Sequence, residues 1–410
     1  MPLRPKNIEK NTEDSLVNMS ESEIKKRKPN LIEDAIFGCT IGEVPALLPG
    51  VALAVGLVAA AIQLTNLMNS ALGHRGVISY IIVAILAGIL IRNIIGVHSI
   101  FTPGISYCLR KLLRLGIIMM GIRLSIYDAL MIGAWGLPIV ILCILTGLIV
   151  TTYFTRLLKL PERLGTLIAV GTSICGASAI VATAPGIDAR DEEVSYAIAN
   201  ITIFGLVAMF AYPYLSHLLF GDSTTMVGLF TGTSIHQTAQ VAGAGLIYDQ
   251  TFQTTLNPTA ADAAMVTKLV RNALMAVVIP VMAYIYTRRS LKSGTSSGGA
   301  RINPLKLFPM FIIGFLIMAI LRSIGDAGID GGGKAFVIFS SGLWSDIIHY
   351  IKQWSGYILA TAMAGVGLGT SLATVKGLGI RPFYVGLFSA TIVGVTSLIL
   401  VLLLGPHVKL

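Results

Sequence analysis

The chain has 410 residues, 54% of them hydrophobic and only 12% charged, with a formal net charge of +10 and a mean hydropathy of +0.80. That balance excludes an ordinary soluble domain and points to an all-α polytopic membrane protein. The excess positive charge is not the footprint of a nucleic-acid binder, because it is sorted along the chain by side rather than gathered in one patch.

Residues 1–44 read as a polar cytoplasmic tail, since "NIEKNTEDSLVNMSESEIKKRKPN" mixes charges and holds no apolar run. No short apolar stretch with a cleavage site follows Met1, so the first span is expected to act as its own insertion signal. About eleven candidate spans follow, near 46–68, 77–96, 110–127, 134–156, 164–187, 194–219, 225–247, 262–287, 307–323, 354–372 and 382–404. They form one transmembrane domain over 45–404, with the cytoplasmic stretch 288–306, containing "SLKSGTSSGG", as a flexible linker. The basic residues before the first span fall on one side with Arg110/Lys111/Arg114, Arg156/Lys159/Arg163, Arg288/Arg289/Lys292/Arg301/Lys306 and Lys376/Arg381. Arg75, Arg190, Lys334, Lys352 and Lys409 fall on the other. The positive-inside rule then places the N-terminus in the cytoplasm and the C-terminus outside.

Cys39, Cys108, Cys143 and Cys175 stand alone, so neither a disulfide framework nor a cysteine-based metal site is supported. The remaining basic residues sit in or at the ends of spans. Arg92, Arg123 and Arg322 are near span ends, where a long side chain reaches the headgroups. Lys268 and Arg271 lie deeper, three apart and on one helix face, and read as a cationic pair turned into the bundle.

The fifth span carries "GTSICGASAI" at its centre, where a stable helix would hold Leu and Ala. Glycine weakens a helix there, and Thr and Ser can satisfy the backbone groups that a break sets free. Gly-Thr-Ser recurs at Gly232–Ser234 in the seventh span and at Gly369–Ser371 in the tenth. The fifth and tenth spans are five apart, an odd offset that inverts orientation. This suggests one peripheral helix (45–70) followed by two inverted five-helix repeats, 77–220 and 225–404, with broken crossing helices. A second register aligns "MMGIRLSIYDALMIGAWGLP" with "MAGVGLGTSLATVKGLGIRP", pairing Gly133 with Gly377, and so the third and fourth spans with the tenth and eleventh. The seventh span, "GTSIHQTAQVAGAG", adds His236, Gln237 and Gln240 to Thr233 and Ser234; His236 and Gln240 share a face.

Together "GTSICGASAI", "GTSIHQTAQVAGAG" and "TKLVRN" resemble the YeiH-type proteins of bacterial inner membranes, a family labelled as sulfate exporters and similar to the cation/proton antiporter and anion transporter grouping. The resemblance covers roughly 45–404. It implies an inner-membrane location and crossed, broken helices at Gly171–Ser178 and Gly367–Ser371. The acidic ion-binding residues of the grouping's sodium/proton antiporters have no match in either segment.

The sequence thus favours a secondary transporter of a small anion, such as a sulfur oxyanion or organosulfonate, over a cation/proton antiporter on the same fold or an integral-membrane enzyme. The expected substrate-binding residues are Gly171, Thr172, Ser173, Cys175, Gly176, Ser178, Thr233, Ser234, His236, Gln237, Gln240, Lys268, Arg271, Gly369, Thr370 and Ser371. Lys268 and Arg271 would supply positive charge, His236 a titratable one. No catalytic residue, metal or cofactor is implied. The partners are the anion, the bilayer and a second copy in a homodimer. "GIDGGGKA" at 328–335 ends in Ala where a phosphate loop needs Ser or Thr, so it reads as a turn. "WSDIIHYIKQW" reads as an interfacial helix with Trp344 and Trp354 at headgroup level.

Overall fold

The computed structural model describes residues 38–71, 78–292, 303–373 and 379–408. Most of the predicted tail, the centre of the 288–306 linker and Gly377 of the second register therefore lie outside the described residues.

The helices in chain order are α1 (Leu48–Ala71), α2 (Tyr80–Leu90), α3 (Thr102–Tyr107), α4 (Leu113–Met120), α5 (Ile126–Leu157), α6 (Glu162–Ser173), α7 (Ala177–Thr183), α8 (Asp191–Phe220), α9 (Thr224–Ser234), α10 (Thr238–Thr251), α11 (Ala260–Ala273), α12 (Met275–Lys292), α13 (Phe311–Asp330), α14 (Ser341–Gly369) and α15 (Ile380–Leu404). Near-complete helicity is what a hydrocarbon environment demands of a backbone that must satisfy its own polar groups. Among the described residues, five helices, α1, α5, α8, α13 and α15, are long and apolar enough to cross a membrane alone, and α11 and α12, bent by 41° at their junction, together have the length and apolarity of a sixth. Leu130, Ile141 and Ile149 of α5, Val207 and Leu218 of α8, and Ile399 and Leu403 of α15 are exposed. An apolar surface that extensive has the chemistry of a lipid-facing rim.

Local chemistry sets the helix starts. Ser79 Oγ accepts from the Ile81 N–H at 3.2 Å, and Ser125 Oγ from the Asp128 N–H at 3.0 Å. The Asp249 carboxylate accepts from the first N–H groups of α11, Ala260 at 2.9 Å and Ala261 at 3.1 Å, an anion at the positive end of a helix. The third span starts earlier than its hydropathy suggests. It runs as α3 and α4 joined by a π turn at Cys108–Leu112, with Pro103 at the helix start, where proline is tolerated.

The fifth and seventh spans do not cross; they fold back on themselves. Arg163 Nη2 lies 3.4 Å from Asp188 Oδ2, whereas 25 residues of straight helix would set them about 38 Å apart. The α6 helix runs inward, stops at Ser173, and α7 returns the chain, so that the Ile180 side chain lies against Gly171. Gly176 makes the reversal at φ +77° and ψ −126°, a conformation open to glycine. In the second hairpin, α9 and α10, the Tyr248 hydroxyl donates to the Gly221 carbonyl at 2.8 Å and Thr224 Oγ1 to the Pro258 carbonyl at 2.8 Å. Both bonds bring the two ends of the hairpin to the same face.

The helix between the hairpins, α8, has 30 residues and is about 45 Å long. It starts beside the base of the first hairpin and ends beside the base of the second, so the hairpins enter from opposite faces and meet tip to tip. Two reversals cancel. Only the segments around Asp188–Glu193 and Gly221–Ser223 exchange sides relative to the sequence reading, and α11 onward keeps the expected direction.

The expected break in the tenth span is absent. α14 continues unbroken from Ser341 to Gly369, so Gly367–Ser371 ends a helix instead of interrupting one. The second interrupted element is Ile235–Gln237. The segment expected to be interfacial is the first part of α14. Trp344 is buried, its indole N–H donating to Asp326 Oδ1 at 2.9 Å, whereas Trp354 is exposed.

The helices sort into two packed groups. One contains α1–α4, α13 and α14, with α2 and α4 against α14. The other contains α5–α12 and α15, with α5 against α15, α6 and α11, and α9 against α11. The main links between them are α10 with α2 and α14, and α5 with α13.

Candidate functional site

The site is built around the hairpin tips, and α11 holds them together. Lys268 and Arg271 sit one turn apart on its buried face, both 0% exposed. The Lys268 Nζ donates to Ile174 O at 2.9 Å, Ile235 O at 2.8 Å and His236 O at 2.6 Å. Three acceptors engage all three N–H groups of an ammonium. Arg271 donates from Nε to Ser173 O at 2.8 Å, from Nη2 to Thr172 O at 2.5 Å, and from Nη1 to Thr233 O at 2.6 Å and Ile235 O at 3.3 Å. Every acceptor lies at or just beyond the C-terminal end of α6 or α9. Carbonyls there have no intrahelical partner, and both helix dipoles present their negative ends. Among the described residues, neither cation forms an ion pair with a carboxylate. The buried pair expected from the sequence is present, but its donors serve the backbone and are not turned toward open space.

Other predicted residues fix the second tip to α8. Gln237 Nε2 donates to Thr202 Oγ1 at 2.8 Å, and Gln240 Nε2 to Thr202 O at 3.1 Å. Gln240 Oε1 accepts from the Gln237 N–H at 3.3 Å, capping α10. Ser234 Oγ donates to Phe230 O at 2.5 Å, and Thr233 Oγ1 shares a hydrogen bond of 2.6 Å with Ser397 Oγ on α15. The two tips touch where Gly176 faces Gln237; a Cβ at Gly176 would lie 2.6 Å from Gln237 Cγ. Small residues also bring α9 onto α11, because a Cβ at Gly228 would collide with Ala263.

A cavity of about 430 Å³ reaches this junction from the face that bears Arg163. From the hairpin group it is lined by Cys175, Ser178, Thr238, Asn272 and Met275; from the other group it is lined by Arg110, Leu113, Arg114, Ile117 and the segment Leu307–Phe311. Asn272 is 2% exposed. One end of its amide is engaged with Thr238 Oγ1 at 3.1 Å, and its Oδ1 has no partner. Arg110 and Arg114 stand at the mouth on α4 and the π turn before it. On the opposite face the same two groups are joined. Arg123 Nη1 lies 3.9 Å from Asp262 Oδ1 and Ser79 Oγ donates to Gln250 Oε1 at 2.7 Å, while Arg123 Nη2 donates within its own group to Lys352 O at 3.1 Å.

Of the predicted residues, Cys175 and Ser178 line the cavity directly. Thr172, Ser173, Thr233 and His236 contribute backbone carbonyls to the tethered tips. The Ser173 hydroxyl and His236 Nδ1 are buried without partners. Gly369, Thr370 and Ser371 are elsewhere, lining a separate, mainly apolar cavity of about 440 Å³ against α8. The Thr370 hydroxyl donates to its own helix at Val366 O, and Asn93 holds the chain there through Thr370 O and the Leu372 N–H. Arg123, expected to reach the headgroups, pairs with Asp262 instead, and Arg322 pairs with Asp326. Reading the sequence missed Arg110, Arg114, Thr238 and Asn272. The first two were absorbed into the charge pattern, and Asn272 follows directly on Arg271 in "TKLVRN".

Residues 49–386 match the sequence model of a family described as conserved hypothetical protein 698. The chain belongs to this family of membrane proteins. Curated relatives carry the name UPF0324 membrane protein. One from Corynebacterium glutamicum is 33% identical over 319 residues, 77% of this chain and 83% of its own. One from Fusobacterium nucleatum is 30% identical over 306 residues, 75% of this chain and 84% of its own. One from Pseudomonas aeruginosa is 30% identical over 356 residues, 83% of this chain and 90% of its own. The family is the one that the resemblance pointed to, and these relatives are named as membrane proteins, with no cargo in the name. Its matched region takes in both hairpins, α11 and both cavity-mouth arginines.

Proposed function

We propose that this protein is a secondary transporter that moves a small anion by alternating access, the anion being held in the cavity between the hairpin tips and α4. One observation carries the reading: a cavity between the two helix groups ends where two hairpins from opposite faces meet, and the far side of the same junction is joined by Arg123–Asp262 and Ser79–Gln250. A cavity at the boundary between two packed helix groups that are bridged on the other face fits one state of an alternating-access cycle.

The anion preference follows from Arg110 and Arg114 at the mouth and from Thr238, Asn272 and Ser178 within. A desolvated oxyanion needs several donors and a nearby cation. The volume of about 430 Å³ lies within the usual range for small-molecule sites, about 300–1,000 Å³. It has room for sulfate with water or for an organosulfonate. The mouth lies on the Lys/Arg-rich face, which the positive-inside rule places in the cytoplasm, so the structure would represent the inward-open state of a bacterial inner-membrane protein. Lys268 and Arg271 act on the hairpins and not on the anion.

Thermal unfolding of the purified protein in detergent with sulfate, thiosulfate, sulfite, taurine, acetate or sodium tests the reading. At least one anion is expected to raise the midpoint for the wild type and not for R110Q/R114Q. Stabilisation by sodium alone, or anion stabilisation unchanged in the double variant, would contradict it.

A further inference from the structure

The two hairpin tips form a carbonyl cage. Thr172 O, Ser173 O and Ile174 O come from one tip, and Thr233 O, Ile235 O and His236 O from the other. All are directed at one buried region where the negative ends of α6 and α9 converge. In transporters with interrupted helices, carbonyls released by the breaks and half-helix C-terminal ends are the groups that coordinate a coupling cation. Here the cage is full. An ammonium with three carbonyl oxygens at 2.6–2.9 Å and a guanidinium with four contacts at 2.5–3.3 Å take up the acceptors from both tips. Both come from α11, a helix packed against both arms of the second hairpin.

We infer that Lys268 and Arg271 are tethered replacements for a coupling cation: they occupy the cation position of the paired hairpins permanently, so the anion is moved without any bound metal cation. The inference rests on the transporter reading, but it makes a separate claim about what drives and holds the site. A free coupling ion arrives and leaves with each cycle, and its concentration sets whether the tips are closed around the substrate. A cation fixed on α11 keeps both tips joined in every state and removes that dependence. The hairpins and α11 then move as one body, and the driving force comes from the anion gradient or from exchange.

The absence of a partner carboxylate among the described residues fits this arrangement. A carboxylate would compete with the carbonyls for the two cations, whereas carbonyl dipoles alone present to α11 what they would present to a free ion. Removing the ammonium without its backbone should leave a cation-sized void lined by Ile174 O, Ile235 O and His236 O, which an external cation can fill.

The experiment uses full-length protein in two arms. In the first, thermal unfolding is recorded for wild type and K268A in sodium, potassium, choline or methylammonium chloride at equal ionic strength, with no anion substrate added beyond chloride. The wild-type midpoint is expected to be the same in all four salts. K268A should unfold several degrees lower in choline and regain at least half of that loss with tens of millimolar methylammonium, with R271A responding likewise to guanidinium at sub-denaturing concentration. In the second arm, anion exchange by wild type in proteoliposomes is compared in sodium and choline, with rates expected to agree within about twofold. The inference is overturned by a wild-type midpoint that rises specifically with sodium or potassium, by K268A as stable as wild type in choline, or by a tenfold fall in wild-type exchange without sodium. If K268A cannot be purified, the wild-type arms still decide. Failure to find any exchanged anion would count against the transporter reading while leaving the unfolding arm to judge the cage.

Discussion

Arg163 Nη2 lies 3.4 Å from Asp188 Oδ2, although an uninterrupted span from 164 to 187 would hold the two residues on opposite sides of a membrane. The contact places both ends of "LGTLIAVGTSICGASAIVATAPGI" on one face, and Tyr286 of α12 joins them there, its hydroxyl accepting from Arg163 Nε at 3.3 Å. The topology that follows has a direct check. Single cysteines at Lys159 and Asp191 should label with a membrane-impermeant maleimide from the same side, and cysteines at Ser223 and Asn257 from the other. Lys159 and Asp191 reacting from opposite sides would restore a crossing fifth span.

The reversal at Gly176 depends on the absence of a side chain. At φ +77° and ψ −126°, alanine is strained by about 1–3 kcal/mol, and its Cβ would also press on Gln237. G176A should therefore lower the unfolding midpoint in detergent by several degrees and weaken anion binding, because the two tips must part. A midpoint equal to that of wild type would show that the tips are not in contact there.

Asn272 lines the cavity with Thr238 and Ser178; one N–H of its amide goes to Thr238 Oγ1, which leaves the second N–H as a donor. If an anion sits there, N272A should weaken its binding several-fold and N272D should abolish it, since a carboxylate repels the ligand as well as losing the donor. Calorimetric titration of the stabilising anion provides the comparison. N272D binding as tightly as N272A would move the anion away from this residue.

Arg123 and Asp262 close the opposite side of the junction. Asp262 is 1% exposed, so removing its cation leaves a buried carboxylate poorly compensated. R123Q should shift the population toward a state open on that side. An S178C reporter in the R123Q background should then react faster with impermeant reagent from the Arg123 face, and slower from the Arg163 face, than in an otherwise wild-type background. Unchanged rates from both faces would remove the pair from the gate.

Much of this architecture is legible in the sequence because hydrocarbon imposes simple rules. Length and apolarity mark α1, α5, α8, α13 and α15, and the spacing of Lys268 and Arg271 marks a shared buried face. Glycine, threonine and serine at 171–173 and 232–234 mark the two places where helices stop. Whether the chain continues or reverses after such a stop was not legible. It depends on Gly176 adopting a positive φ and on Ile180 finding Gly171, contacts that hydropathy over 164–187 does not register. The tenth-span Gly-Thr-Ser misled for a related reason: the same tripeptide that ends α6 and α9 inside the protein also ends α14 at its rim. Arg110 and Arg114 look like topological charge because sequence shows side but not depth. The π turn that turns them toward the cavity has no compositional mark.

Solute counterflow tests the central claim most directly. Proteoliposomes loaded with a high concentration of the anion that best stabilises the protein are diluted into a trace of the same anion in labelled form. Alternating access of one cavity predicts rapid, transient accumulation of label by wild type with no ion gradient imposed, and its loss in R110Q/R114Q. Label that never exceeds the level of protein-free vesicles, for any anion that binds, would contradict the account.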